Sequence, residues 1–143
     1  MTLSDDAERR ILEKAEYVQE PIEILANKRE LDEEDYRSDR EQRAIVEREF
    51  QTAIEACLDI ASIVIRTSAT EMPETYAERF GVLADIGVLS KETATRMQRA
   101  AGFRNILVHQ YGDKIDNTKV YEHLQTELSW LVRYLHEVRD WLE

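Results

Sequence analysis

The sequence predicts an all-α fold, an antiparallel bundle of four main helices plus a short helix. Its 143 residues include only 4 glycines and 2 prolines, the residues that interrupt helices most strongly. Apolar residues recur at intervals of three and four, a spacing that places them on one side of a helix. A chain of this length is expected to form one domain over residues 1–143, with its own buried core.

The first helix is predicted to begin after Ser4, a good N-cap that is followed by acidic residues in the first turn. Pro21 lies inside this helix and is expected to kink it or to break it into two. The highly charged residues 28–43 are expected to hold the next loop. The inward positions follow 4-3-4-3 spacing and are Ile11, Ala15, Val18, Ile22 and Leu25.

A second helix over about residues 40–67 has the broadest apolar face, so we expect it at the centre of the bundle. Its inward positions are Ile45, Phe50, Ala53, Ile54, Cys57, Leu58, Ala61 and Val64. A short helix is predicted over residues 75–86 and is stopped by Gly87. The inward positions of this short helix are Tyr76, Phe80 and Leu83.

Two further helices complete the predicted bundle. Ser90 caps the first, which is expected to end near Tyr111 because Gly112 suits the position after a helix. Its apolar residues are Ala94, Met97, Ala101, Leu107 and Val108. Asp116 or Asn117 caps the last helix, which is predicted to be continuous. The inner face of the last helix holds Val120, Leu124, Leu128, Leu131, Leu135, Val138 and Trp141.

Composition limits the class of protein. Cys57 is the only cysteine, so the chain can form neither an internal disulfide nor a cysteine-based zinc site. The first ten residues contain no apolar run of the kind found in signal peptides. The most apolar stretch, residues 53–65, is shorter and more charged than the roughly 20 apolar residues that cross a bilayer. We therefore expect a cytoplasmic protein without a membrane partner.

One run, GFRNILVHQYG at residues 102–112, carries the candidate chemistry. It places Arg104, Asn105, His109 and Tyr111 within eight residues, near the end of a predicted helix. A guanidinium is a permanent cation with a planar fork that suits phosphate, and an imidazole titrates near neutral pH. These two groups can stabilise charge and transfer protons at a phosphodiester without a metal ion.

The chain resembles the HEPN superfamily, and within it the HepT-like toxins of HEPN/minimal-nucleotidyltransferase toxin–antitoxin systems. The family motif is R-x4-H-x-Y preceded by an aromatic residue, and it reads FRNILVHQY here. Residues 53–65 (AIEACLDIASIVI) are similar to the family's second helix, and residues 76–90 (YAERFGVLADIGVLS) to its short connecting helix. The resemblance covers most of the chain.

The resemblance implies the toxin of a type VII-like system, a metal-independent endoribonuclease that needs no cofactor and leaves a 2′,3′-cyclic phosphate. It implies Arg104 as the electrostatic stabiliser, His109 as general base or acid, and Asn105 as a residue that orients the histidine or contacts phosphate. It also implies a homodimer with the RNA cleft between two motif helices. Tyr111 would accept AMP from a cognate nucleotidyltransferase antitoxin, and the added anionic bulk would block the cleft.

Helix geometry agrees with a shared cleft. Arg104 and His109 are five positions apart, which is about 140° off alignment on an ideal helix. One chain therefore brings the two side chains together poorly unless the last turn unwinds. Asn105 and His109 are four positions apart and share a face. A twofold dimer that pairs two motif helices would place two arginine–histidine sets in one cleft.

The distribution of charge bears on the RNA interpretation, because the net charge of −11 is unfavourable for binding phosphates. Residues 91–112 are an exception, with four basic residues against one acidic residue. Among them Arg96 and Arg99 are candidates for RNA binding, and the alternative is that they are solvated residues of a helix surface. The acidic remainder suits either a basic partner protein or a cytoplasm with high salt.

Other interpretations remain open at this point. The chain can be a non-enzymatic subunit that binds nucleotide or substrate for a nucleotidyltransferase, or a scaffold whose motif only packs a dimer. No metal site is predicted, because neither His123 nor His136 has a carboxylate three or four positions before it, the carboxylate–histidine pattern typical of metal sites in bundles. Glu55 and Asp59 would be costly to bury, and could support the motif arginine, point to solvent or bind a cation.

Overall fold

A computed structural model describes residues 3–68, 71–110 and 114–143. Within these residues the chain forms seven α-helices and no strand, which confirms the predicted all-α class. In chain order the helices are α1 (Asp5–Lys28), α2 (Glu33–Ser38), α3 (Arg40–Thr67), α4 (Tyr76–Asp85), α5 (Lys91–His109), α6 (Asn117–Thr126) and α7 (Leu128–Leu142).

Helix α3 is the centre of the bundle, as its broad apolar face predicted. It packs against α1, α4 and α5, and α7 closes the bundle by packing against α1 and α5. The core on α3 is nearly continuous from the middle of the helix to its end, and its residues include Phe50, Ala53, Ile54, Cys57, Leu58, Ile60, Ala61, Val64 and Ile65. None of the described helices is long and apolar enough to span a membrane.

The predicted caps are confirmed. The side chain of Ser4 accepts the N–H of Ala7, and that of Ser90 accepts the N–H of Thr93. Asp116, one of the two candidates for the last cap, accepts N–H groups at the start of α6. Gly87 has φ +87°, a left-handed conformation that side chains disfavour, and it ends the short helix as predicted.

Of the two effects predicted for Pro21, a kink or a break, the break does not occur. Helix α1 is continuous over Asp5–Lys28, with Pro21 buried inside it. Val18 and Leu25, one turn to either side, are fully buried. Burying two such side chains contributes about 3–6 kcal/mol, which offsets the roughly 3 kcal/mol that an interior proline costs a helix.

The charged segment at residues 28–43 holds a loop at residues 29–32, as predicted, but most of the segment is helical. It contains α2, which was not predicted from the sequence. Asp32 caps this helix by accepting the N–H of Asp35, and acidic residues fill its first turn. Tyr36 supplies the packing, since its side chain is completely buried and its ring lies 5.7 Å from that of Tyr121.

The last predicted helix is two helices, α6 and α7, separated at Glu127. The hydroxyl of Thr126 donates to the carbonyl of Glu122, a side-chain bond that competes with regular helical bonding. Leu124 and Leu128 are buried on either side of the break, so both segments still face the core.

Some predicted inward positions were also wrong. Ile45 is 37% exposed and Tyr76 is 38% exposed. Both side chains lie at the margin of their helix face, where spacing alone does not determine burial. Trp141 is half-buried and packs against the core as predicted, and Val108 is half-buried. Helix α5 ends at His109, close to its predicted end near Tyr111.

Helix α5 is fixed to the bundle at two levels. At its start, Glu137 of α7 accepts the backbone N–H of Ser90 at 2.7 Å and the hydroxyl of Thr93. Lower down, the ring of Phe103 meets Phe50 edge-on at 5.2 Å and stacks on His123 of α6 at 4.1 Å. The helix that carries the motif therefore has little freedom to slide or rotate.

Burial lowers the pKa of His123, against the opposing effect of Glu127 and Glu122, with Lys119 adding to the decrease. The unfolded chain therefore binds a proton at this residue more readily than the native chain does. Acidification below the ordinary histidine range, about pH 6.5, should destabilise the fold through this group. His123→Phe keeps an aromatic ring against Phe103 but cannot bind a proton. When the pH is lowered from about 7.5 to about 5.5, we therefore expect its free energy of unfolding to fall less than that of wild type.

The measurement is the free energy of unfolding by denaturant at the two pH values, with His136→Phe as the matched control. His136 is exposed on α7, so its replacement should leave the pH dependence of wild type unchanged. Equal pH dependence of all three proteins would contradict the assignment to His123.

Candidate functional site

The motif arginine is held by an ion pair between α5 and α3. Glu55 Oε2 accepts from Arg104 Nε at 3.0 Å and from Arg104 Nη2 at 2.9 Å. The same oxygen accepts from Gln51 Nε2 at 3.1 Å. The side chain of Arg104 is only 15% exposed, so the carboxylate compensates a cation that is largely removed from water. Among the alternatives for Glu55, the structure shows support of the motif arginine.

Two further residues contact the Arg104 guanidinium. Its Nη1 donates to Asn105 Oδ1 at 3.2 Å, which joins two predicted site residues. Its carbon lies 5.1 Å from the centre of the Tyr76 ring on α4, a cation–π distance. Arg79 lies at 4.8 Å from the same ring. The ring of Tyr76 is therefore in contact with two arginines, which explains why it remains at the surface.

His109 is the last residue of α5, and its side chain is exposed. Among the described residues it forms no hydrogen bond or ion pair with Arg104. Helix α5 stays helical through His109, so the last turn does not unwind to bring the two together. Arg104 faces α3 and α4 while His109 lies at the helix end, as their separation of five positions predicted. The other predicted site residue of this motif, Tyr111, lies outside the described residues.

The two candidate RNA-binding arginines have different surroundings. Arg96 lies over the ring of Trp130 at 4.9 Å and is 4.0 Å from a carboxylate oxygen of Glu127. Its guanidinium is therefore used in packing α5 against α7. Arg99 is exposed and lines a groove between α5 and the start of α6.

The described residues contain no group of three histidine, cysteine or acidic side chains placed to hold a metal ion. His123 stacks on Phe103, and His136 lies on a different helix. Asp59, the alternative partner of Glu55 in a cation site, instead pairs with Lys14 at 3.4 Å. The cysteine thiol of Cys57 is buried, as predicted.

Part of this arrangement was not predicted from the sequence. Tyr76 was interpreted as a core residue, and the roles of Gln51 and Glu137 were not considered. The sequence does place Gln51 one turn before Glu55, and Arg79 three positions after Tyr76, so both pairs share a helix face. The contacts of Tyr76 with Arg104 and of Glu137 with Ser90 and Thr93 are long-range and leave no periodic signal in the sequence.

The geometry combines an oriented cation and an exposed imidazole on one helix. Arg104 is oriented by a carboxylate, an amide and an aromatic ring, the kind of preorganisation that electrostatic stabilisation of an anion requires. The imidazole of His109 is exposed at the end of the same helix. Within the described residues of one chain, the two side chains do not meet.

Comparison with known proteins assigns the chain to a family. The family model described as "Ribonuclease HepT-like" matches residues 11–138. The tRNA nuclease HepT of Aphanizomenon flos-aquae is 30% identical over 109 residues, which cover 76% of this chain and 74% of that protein.

Solved structures share the fold. A toxin–antitoxin crystal structure with AMP-PNP matches with a TM-score of 0.85 at 20% identity, over 92% of this chain and 98% of that one. The tri-AMPylated Shewanella oneidensis HEPN toxin in complex with MNT antitoxin matches with a TM-score of 0.83 at 21% identity, over 96% of this chain and 99% of that one. The fold is therefore that of HEPN toxins.

The ion pair of Arg104 and Glu55 should be measurable as a coupling energy. A double-mutant cycle with Glu55→Gln and Arg104→Gln isolates it from the effect of each side chain alone. We expect a coupling of about 1 kcal/mol in the free energy of unfolding, because the pair is partly buried and carries several hydrogen bonds.

The control cycle uses Lys14→Gln and Asp59→Asn. Lys14 lies on α1, and Asp59 lies on α3 one turn after Glu55. These side chains are 39% and 58% exposed, so we expect a coupling of at most a few tenths of a kcal/mol. Denaturant unfolding of the two sets of variants gives both values. Equal coupling in the two cycles would contradict a special role for Glu55.

Proposed function

Because the chain belongs to the ribonuclease HepT-like family, we propose that it is an endoribonuclease and the toxin of a type VII-like toxin–antitoxin pair. The observation that supports this most directly is the placement of Arg104 and His109 on one helix. Arg104 is fixed by Glu55 and Asn105, while His109 is exposed at the end of the same helix. One helix therefore carries a fixed cation, which suits charge stabilisation, and an exposed imidazole, which suits proton transfer.

The proposed reaction needs no metal ion. The 2′-oxygen of RNA attacks the adjacent phosphorus, its proton passes to a base, and the bond to the 5′-oxygen breaks as that oxygen takes a proton. The products are a 2′,3′-cyclic phosphate and a 5′-hydroxyl. Arg104 stabilises the charge on the non-bridging oxygens, and His109 serves as general base or acid. Asn105, which contacts Arg104, orients these groups or binds phosphate.

A homodimer completes the proposed site. Within one chain, Arg104 faces α3 and α4, and His109 lies at the exposed end of α5. Two copies related by a twofold axis, with their α5 ends together, would place the arginine and histidine of both chains around one RNA cleft.

Control by a nucleotidyltransferase antitoxin is the second part of the proposal. The phenol oxygen of Tyr111 attacks the α-phosphorus of ATP, a Tyr–O–AMP bond forms, and pyrophosphate leaves while the phenol proton is lost. Tyr111 is two positions after His109 in the sequence, so the new anion would exclude RNA from the cleft. The AMPylated state named for the Shewanella relative supports this chemistry.

Removal of either motif residue should abolish RNA cleavage. We expect Arg104→Ala and His109→Ala to lose cleavage in the presence of EDTA by at least 100-fold, since each removes stabilisation or proton transfer in the transition state. The measurement is cleavage of total RNA by purified protein, together with growth arrest on induction in a bacterial host.

The matched control is His136→Ala, which removes an exposed histidine from a helix outside the motif. It should cleave RNA and arrest growth as wild type does. Cleavage by a folded His109→Ala protein would refute the mechanism. A wild-type protein that cleaves no RNA and is harmless on expression would favour the non-enzymatic nucleotide-binding subunit instead.

Tyr111→Phe should escape neutralisation. With the cognate nucleotidyltransferase and ATP, we expect wild type to gain one or more AMP units by mass spectrometry and to lose RNA cleavage, because the modification blocks the cleft. Tyr111→Phe should gain no AMP and stay active. Tyr17→Phe, which alters an exposed tyrosine of α1, should behave as wild type. AMP on the Tyr111→Phe protein would place the acceptor elsewhere.

A further inference from the structure

A groove between α5 and the start of α6 lies outside the cluster around Arg104. Its volume is about 540 Å³, within the range of roughly 300–1,000 Å³ that is usual for ligand sites. Helix α5 supplies Arg99, Phe103 and Ile106 to one wall, and Lys119 and His123 of α6 line the other. The two walls are held together by the stack of Phe103 on His123.

The rim of the groove is basic. Arg99, Lys114 and Lys119 line it, and all three are exposed. Asp116 is the single acidic residue among its described lining residues, and its Oδ1 already accepts the backbone N–H groups of Thr118 and Lys119. In a chain of net charge −11 this is a local reversal of sign, and it favours an anionic ligand.

The inner surface of the groove is apolar and aromatic. Ile106 is 45% exposed there, although its size favours burial. His123 presents a half-buried ring, and its lowered pKa leaves it uncharged at neutral pH. Cations at the rim with an apolar wall between them are the combination by which proteins bind phosphates and bases of a single strand.

The groove leads to the proposed catalytic histidine. Its lining residues on α5 run from Arg99 to Ile106, about 10 Å along the helix, and Gln110 lines it just beyond the end of α5. Gln110 follows His109 directly, so a strand lying in the groove reaches the helix end where His109 is exposed.

We propose that this groove binds single-stranded RNA to one side of the scissile bond. Arg99 and Lys119 contact phosphates from opposite walls, and a base lies against Ile106 and His123. This inference rests on the proposed ribonuclease function and assigns the substrate path outside the catalytic cleft.

The experiment measures binding of a labelled single-stranded oligoribonucleotide to the His109→Ala protein, which binds without cleaving. In that background Arg99→Gln/Lys119→Gln removes the two groove cations. Arg48→Gln/Lys91→Gln is the matched control, with the same change in net charge at exposed residues that do not line the groove. Affinity is measured by fluorescence anisotropy over a range of salt concentrations.

We expect the groove variant to bind about 25-fold more weakly near 0.1 M salt, with a salt slope smaller by about 1.4, since each phosphate contact on a single strand contributes about 0.7. The control should keep the affinity and slope of the His109→Ala parent. In proteins that retain His109, the groove variant should raise KM for RNA and leave kcat nearly unchanged.

Three results would overturn the inference. The groove and control variants could bind RNA equally while wild type still cleaves, which would leave the ribonuclease proposal intact. The groove variant could become monomeric in sedimentation, which would make this face a contact between copies. It could also lose binding of the nucleotidyltransferase and keep binding of RNA. Absence of both RNA binding and cleavage by wild type would instead refute the proposed function itself.

Discussion

The ion pair between Arg104 and Glu55 is the interaction on which the arrangement of the site depends. Arg104 is mostly buried between α5, α3 and α4, where a guanidinium without a counter-charge would be strongly destabilising. Glu55 therefore fixes both the arginine and the rotation of α5 relative to α3. The contacts of Glu137 with the start of α5 and of Phe103 with Phe50 then restrict α5 to a single position in the bundle.

Much of this fold could be predicted from the sequence because helices leave periodic signals. The bounds of α3, the caps at Ser4 and Ser90, and the stop at Gly87 all depend on local chemistry and were confirmed. Helix α2 was missed because a single buried residue, Tyr36, anchors an otherwise charged segment. The break at Glu127 was missed because no glycine or proline marks it.

The sequence names candidate site residues but says little about their surroundings. Arg104 and His109 are proposed from the motif, and a separation of five positions on a helix accounts for their failure to meet. The ring of Tyr76 and the basic groove depend on contacts between elements that are far apart in sequence. Such contacts are set by packing, and a pattern along one helix carries no information about them.

The three hydrogen bonds accepted by Glu55 Oε2 have a consequence for turnover in the proposed reaction. In that reaction, a phosphate that approaches Arg104 would have to compete with a carboxylate already in contact with the same guanidinium. Small anions that bind weakly, such as inorganic phosphate, would gain too little to displace it. A substrate held at several further points would gain enough, and after cleavage the carboxylate would favour release of the shorter product. Under the proposed mechanism, Glu55 would thus be an internal competitor that sets a threshold for occupancy of the site.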